Sequence, residues 1–105
     1  MQRLTNAQRA HLRRLAHHLK PVVQIGKQGL TSGVQASVDE ALNARELIKV
    51  KFMDFRDQKQ ELTDELAAAS GSVLVGMIGN IAILYRQQKD PQKRKITLPR
   101  DAGNA

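Results

Sequence analysis

The chain has 105 residues, 41% of them hydrophobic, enough for one domain with a single core. It contains no cysteine, which excludes a disulfide framework and a thiolate metal site, and no apolar run approaches the roughly 20 residues that cross a bilayer. Its 17 lysines and arginines outnumber 10 acids, and the net charge of +7 points to a polyanionic partner.

That charge is unevenly placed. No acid precedes Asp39, while Arg3, Arg9, Arg13, Arg14, Lys20 and Lys27 supply six positive charges. From Asp39 to Tyr85 eight acids face five bases, and from Arg86 onward six bases face two acids. Basic ends around an acidic middle suggest one electropositive surface. A plain solubility surface is the alternative.

Thr5-Asn6-Ala7-Gln8 fits a capping box, with Leu4 as a hydrophobic staple. Leu12, Leu15, Ala16 and Leu19 recur at helical spacing and predict an inward stripe. Arg9, Arg13, His17 and Lys20 fall on another face. Pro21 ends this first helix. Residues 21–26 predict a short buried strand. A second helix follows over 31–45, with Val34, Val38, Ala41 and Leu42 inward.

Residues 47–53 alternate, placing Ile48, Val50 and Phe52 on one face and Lys49 and Lys51 on the other. A third helix is predicted over 57–70, with Leu62, Leu66 and Ala69 inward and Gly71 as its stop. Residues 72–78 and 81–86 predict a hairpin turning at Gly79-Asn80. Ile96, Thr97 and Leu98 suggest a short edge strand, and 100–105 a flexible polar tail after a domain spanning 1–99. The order α-β-α-β-α-β-β implies an α/β two-layer sandwich, a four-stranded mixed sheet with three helices. Its crossovers favour right-handed, parallel neighbouring strands. Strand order is left open.

The chemistry concentrates at Gly26-Lys27-Gln28-Gly29. The loop follows a strand and precedes a helix whose N-cap is Thr31 or Ser32. Glycines leave room for a ligand, and a helix start offers unpaired N–H groups and partial positive charge. Lys27 adds a full charge. The combination suits phosphate. The bland alternative is a turn that needs two residues of positive φ. The spacing is neither a P-loop nor a dinucleotide fingerprint. Gly76-Met77-Ile78-Gly79 repeats the spacing with an apolar interior, and reads as a strand position and a turn.

His11, His17 and His18 lack metal-ligand spacing. No serine carries a nucleophile motif, and Asp39-Glu40 is an exposed pair with no catalytic context. No metal, cofactor or small-molecule substrate is expected. Phe52, Phe55 and Tyr85 are the only aromatics, too few for a base-stacking sheet, which favours recognition through backbone charge and shape. Tyr85 reads equally as a core residue with an exposed hydroxyl.

Several stretches together resemble the CRM domain. They are Leu4-Thr5 with Gln8, Leu12 and Leu15-Ala16-His17; Lys20-Pro21-Val22-Val23; and Ile25-Gly26 with Gly29-Leu30-Thr31. Further on come Glu46 to Lys51, Ile78-Gly79, Leu84-Tyr85-Arg86 and Arg94 to Pro99. The likeness spans residues 4–99 and is to stand-alone bacterial members of the YhbY type. It implies a fold similar to the C-terminal domain of translation initiation factor three. It also implies RNA binding and association with precursors of the large ribosomal subunit, plant relatives serving in organellar intron splicing. The family's Gly-x-x-Gly loop is likened to that of KH domains, although those join two helices.

The expectation is therefore a non-catalytic, cytoplasmic, monomeric RNA-binding protein of ribosome assembly. Its contacts are expected at Gly26, Lys27, Gln28, Gly29, Thr31 and Ser32, extended by Arg9, Arg13, Arg14 and Lys20. Arg86, Lys93, Arg94 and Lys95 close the track if the tail folds back. A protein-docking adaptor on ribonucleoprotein particles and a nucleotide-binding protein are the alternatives.

Overall fold

The computed structural model describes residues 3–99. The chain runs α1 (Asn6–Ala16), β1 (Val23–Ile25), α2 (Ser32–Arg45), β2 (Leu47–Phe52), α3 (Lys59–Ser70), β3 (Val73–Ile78) and β4 (Ile81–Tyr85). Single 3-10 turns occupy Arg56–Gln58 and Pro91–Lys93. The 100–105 tail lies outside the described residues.

Local chemistry sets the helix ends. Thr5 Oγ1 accepts from Gln8 N–H at 3.1 Å, and the Gln8 side chain accepts from Thr5 N–H at 3.0 Å, the reciprocal capping box. α1 stops at Ala16, short of Pro21. Leu12 and Ala16 are buried, but Leu15 is 39% exposed, because it falls at the rim of the apolar stripe. Thr31 Oγ1 caps α2 by accepting from Val34 N–H at 3.1 Å. The third helix is shorter than its sequence suggests, since residues 56–58 form a 3-10 turn before it. Thr63 and Leu66 are buried and Ala67 is half-buried, whereas Ala69 is exposed, about 90° from the centre of that stripe.

The sheet order is β1-β2-β4-β3. β1 pairs with β2 in parallel, and β4 runs antiparallel to both β2 and β3. β2 and β3 are thus parallel but not neighbours, contrary to the crossover expectation: β4 turns back from the hairpin into the gap between them. This fills both edges of β4 with ladder bonds and buries its core positions on both faces.

The helices divide between the two faces, giving three layers instead of two. Val38 and Leu42 of α2 and Leu66 of α3 pack on Ile25, Ile48, Val50, Phe52, Ala82 and Leu84. Leu12 and Ala16 of α1 pack on Leu47, Val75, Ile83 and Tyr85, on the opposite side. The alternation of β2 and β4 permits this, since successive residues feed opposite cores.

Residues 96–98 form no strand. They belong to a strap, residues 87–99, that crosses the α1 side, with Ile96 and Leu98 packed on the second core. Glu46 anchors the strap. It is 1% exposed and adopts φ +64° just before β2. Its Oε1 accepts from Lys95 N–H at 2.7 Å and Ile96 N–H at 3.0 Å, and its Oε2 from Gln88 N–H at 2.7 Å. Gln8 Nε2 donates to Pro99 O at 3.1 Å and fastens the far end of the strap to α1.

Candidate nucleic-acid interface

The loop at Gly26–Gly29 leaves the end of β1 as a tight turn, in which Gly29 N–H donates to Gly26 O at 3.0 Å. Lys27 and Gln28 occupy the tip and are exposed. The two glycines differ in what requires them. Gly29 has φ +72°, and a side chain there would begin 3.7 Å from the Phe55 ring. Gly26 lies outside that left-handed range, and a Cβ on it would meet nothing within 4 Å. The fold therefore explains Gly29 and leaves Gly26 unexplained, against the bland reading of two positive-φ residues. Phe55, which the sequence offered only as a scarce aromatic, backs the loop from the segment after β2. Its own φ is +56°.

Beyond the loop, Thr31 Oγ1 takes the Val34 N–H, and the N–H groups of Ser32 and Gly33 have no partner among the described residues. The first turn of α2 carries no acid. One acid borders the site: Asp54 N–H donates to Ile25 O at 3.3 Å, and its own Oδ1 accepts from Phe55 N–H at 2.7 Å. The site is an exposed turn with one lysine, free amides and a helix N-terminus, an arrangement that can hold a phosphate oxygen.

Charge separates by layer. α1 carries Arg9, Arg13 and Arg14 and no acid, and Lys49 and Lys51 point to its side of the sheet, since Ile48, Val50 and Phe52 point to the other. The acids Asp39, Glu40, Glu61, Asp64 and Glu65 lie on α2 and α3. The acid-free first third of the sequence is thus divided, α1 lying on one side of the sheet and the first half of α2 on the other.

The structure distributes the expected contact residues unequally. Arg14, Lys20, Lys27 and Gln28 are exposed, and their side chains make no hydrogen bond among the described residues. Arg13 lies against β3, where a Cβ at Gly76 would stand 3.2 Å from its Nε. Arg9 is committed elsewhere: its guanidinium donates to the Leu74 carbonyl and, at 2.9 Å, to that of Val75, beside the bulge in β3. Arg86 is also engaged, donating at 2.7 Å to both Asp39 Oδ1 and Ser70 O and at 2.9 Å to Asn43 Oδ1.

Arg86 and the strap residues Lys93, Arg94 and Lys95 do not close a track around the loop. They sit where Leu47, Tyr85 and Val73 align, the opposite end of the sheet from Ile25, Phe52 and Asn80. Five residues of strand, about 17 Å, separate the two ends. The strap's own cleft, about 730 Å³, is lined by Arg3, Gln8, Asn43, Tyr85 and Arg94 among others. The Tyr85 hydroxyl is buried and has no hydrogen-bond partner among the described residues, so it is not the exposed hydroxyl weighed from sequence. Burial, then the Glu46 carboxylate, push its pKa up to about 12, with Arg94 opposing.

The profile of the CRS1/YhbY (CRM) domain matches residues 4–86. The chain belongs to the CRM-domain family. Among its CRM relatives is a probable RNA-binding protein of Pseudomonas aeruginosa, 45% identical over 101 residues, covering 95% of this chain and 97% of the relative. Another is the probable RNA-binding protein YqeI of Bacillus subtilis, 40% identical over 97 residues, covering 91% of this chain and 99% of the relative. A solution structure from Staphylococcus aureus superposes with a TM-score of 0.75 at 39% identity, covering 92% of this CRM-family chain and all of that chain. The candidate loop lies inside the matched span.

Proposed function

We propose that this CRM domain is a non-catalytic RNA-binding protein that holds the ribose–phosphate backbone at the Gly26–Gly29 loop. Gly26 carries the reading: it is a glycine the fold does not require, beside Lys27 and the free N–H groups of Ser32 and Gly33. Without a side chain at Gly26, a phosphate reaches the backbone closely. Lys27 supplies charge, and Arg13, Arg14 and Lys20 extend the attraction over the α1 side. Arg9 and Arg86 hold the fold instead. The naming of relatives as RNA-binding proteins supports the same class of ligand.

The RNA is precursor large-subunit ribosomal RNA, and the protein acts as a monomeric assembly factor in the cytoplasm. Co-sedimentation with ribosomal precursors, with and without nuclease, tests this. Loss of association on nuclease treatment is expected. Retention would favour a protein-docking adaptor. Anisotropy titration of labelled RNA at low salt tests the loop directly, and unchanged binding by Lys27→Ala would remove the loop from the interface.

A further inference from the structure

The loop and Arg13 lie at opposite edges of the sheet, the loop after β1 and Arg13 over β3. What joins them is a row of side chains across all four strands. Gln24 of β1 is in register with Lys51 of β2, Lys51 with Ile81 of β4, and Ile81 with Ile78 of β3. All four face the α1 side, because their neighbours Ile25, Phe52, Ala82 and Met77 face the other core.

α1 does not cover this row. Its buried residues pack on Leu47, Val75, Ile83 and Tyr85, farther from the loop. Ile78 is 60% exposed, Gln24 is exposed, and Ile81 and Lys51 are half-buried. Lys51 makes no hydrogen bond or ion pair among the described residues, unlike Lys49, whose Nζ donates to Leu19 O at 3.0 Å. The row spans about 14 Å, and Gln24 stands about 7 Å along the strand from Gly26.

We infer that this row is a second contact surface for single-stranded RNA, continuous with the loop. The inference rests on the RNA-binding reading above. The occupant follows from chemistry. The layer is basic and free of helix-borne acid, so a polyanion is favoured over an acidic-patch-poor protein surface. Exposed Ile78 and half-buried Ile81 on an open stretch of sheet offer apolar area to the faces of unstacked bases, which a duplex keeps hidden. Lys51 between them and the loop meets the phosphate, and Gln24 offers an amide to a base edge. The strand would then run from the loop across the sheet to Arg13. Aliphatic packing replaces aromatic stacking, which accords with the scarcity of aromatics in the chain.

The test uses the full chain, a labelled single-stranded oligouridylate and a hairpin duplex of equal length. Lys51→Gln and Ile78→Ser are compared with wild type, with Lys27→Ala in the loop and with Leu15→Ser on α1 as an off-row control. Both row variants should weaken single-strand binding about fivefold and duplex binding less. Lys51→Gln should also reduce the single-strand salt slope by about 0.7. Crosslinks from a 4-thiouridine oligomer should include peptides 47–53 and 73–81. If Lys27→Ala weakens binding while both row variants match wild type, the row is overturned and the loop reading stands. If wild type binds neither RNA, both fall. Equal loss in single strand and duplex, without those crosslinks, also overturns the row.

Discussion

Arg86 holds Asp39 at 2.7 Å, and through it the end of β4 is tied to the middle of α2. The same guanidinium reaches the Ser70 carbonyl at the close of α3. One side chain therefore joins three elements, and its charge is directed inward to protein acceptors. Arg86→Ala should cost about 2 kcal/mol in denaturant unfolding, because it leaves a half-buried carbonyl and a carboxylate without their donor. RNA affinity of the folded variant should equal wild type in anisotropy titrations. A large affinity loss with intact stability would return Arg86 to the interface.

The two loop glycines should separate stability from binding. Gly29→Ala forces a Cβ onto φ +72° and should lower stability by about 1 kcal/mol. Gly26→Ala introduces a Cβ into open space, and should shift stability by less than about 0.5 kcal/mol. Its RNA affinity should nevertheless fall severalfold. Chemical denaturation paired with anisotropy on both variants checks this.

Lys27 is exposed at the turn tip and free of intramolecular partners among the described residues. Lys27→Ala should weaken different RNA sequences by similar factors and reduce the salt slope by about 0.7 on single strands, since phosphate contacts carry little sequence information. Titrations at several salt concentrations with unrelated oligomers measure both.

Tyr85 is the single tyrosine, so its phenolate absorbance is an isolated probe. Its folded pKa is raised from 10.0 to about 12 by burial first and Glu46 second. The raised value means that the native state keeps a proton the unfolded chain gives up. Its contribution to stability is complete below pH 10 and is lost as pH climbs toward 12. Alkaline titration of the native protein should show phenolate late, and Tyr85→Phe should flatten stability across that window. Among the described residues the hydroxyl has no partner to lose, so the substitution should fold normally.

Glu46 should prove a structural hinge point for the strap. Glu46→Ala removes the acceptor of three backbone N–H groups, two of them 49 and 50 residues away. A loss of about 3 kcal/mol is expected, together with faster tryptic cleavage after Lys89, Lys93 and Lys95. Limited proteolysis followed by mass spectrometry reads the second effect.

Local signals were legible in the sequence where their partners are local. Thr5 and Thr31 announce their helices because a cap and its amide lie three residues apart. The alternation at Ile48–Phe52 announces a strand with a basic face, and Gly79-Asn80 its hairpin. The engagement of Arg9 and Arg86 was not legible, because their acceptors are 65 and 47 residues distant in Leu74 and Asp39. Free and engaged arginines look alike in a sequence. The insertion of β4 between β2 and β3 is likewise a long-range pairing choice that no local pattern encodes. Lys51 was visible as a face of β2, but its openness depends on where α1 comes to rest, and α1 covers Leu47 instead. Phe55 gave no signal beyond its rarity, since its support of Gly29 comes from a left-handed turn.

The Gln8–Pro99 bond draws the N-terminal helix and the end of the strap to one corner of the molecule, distant from Gly26. Arg3 and Thr97, both exposed, lie on the same segments. A fluorescent reporter on a cysteine introduced at either position sits away from the nucleotide-facing end and leaves it unobstructed.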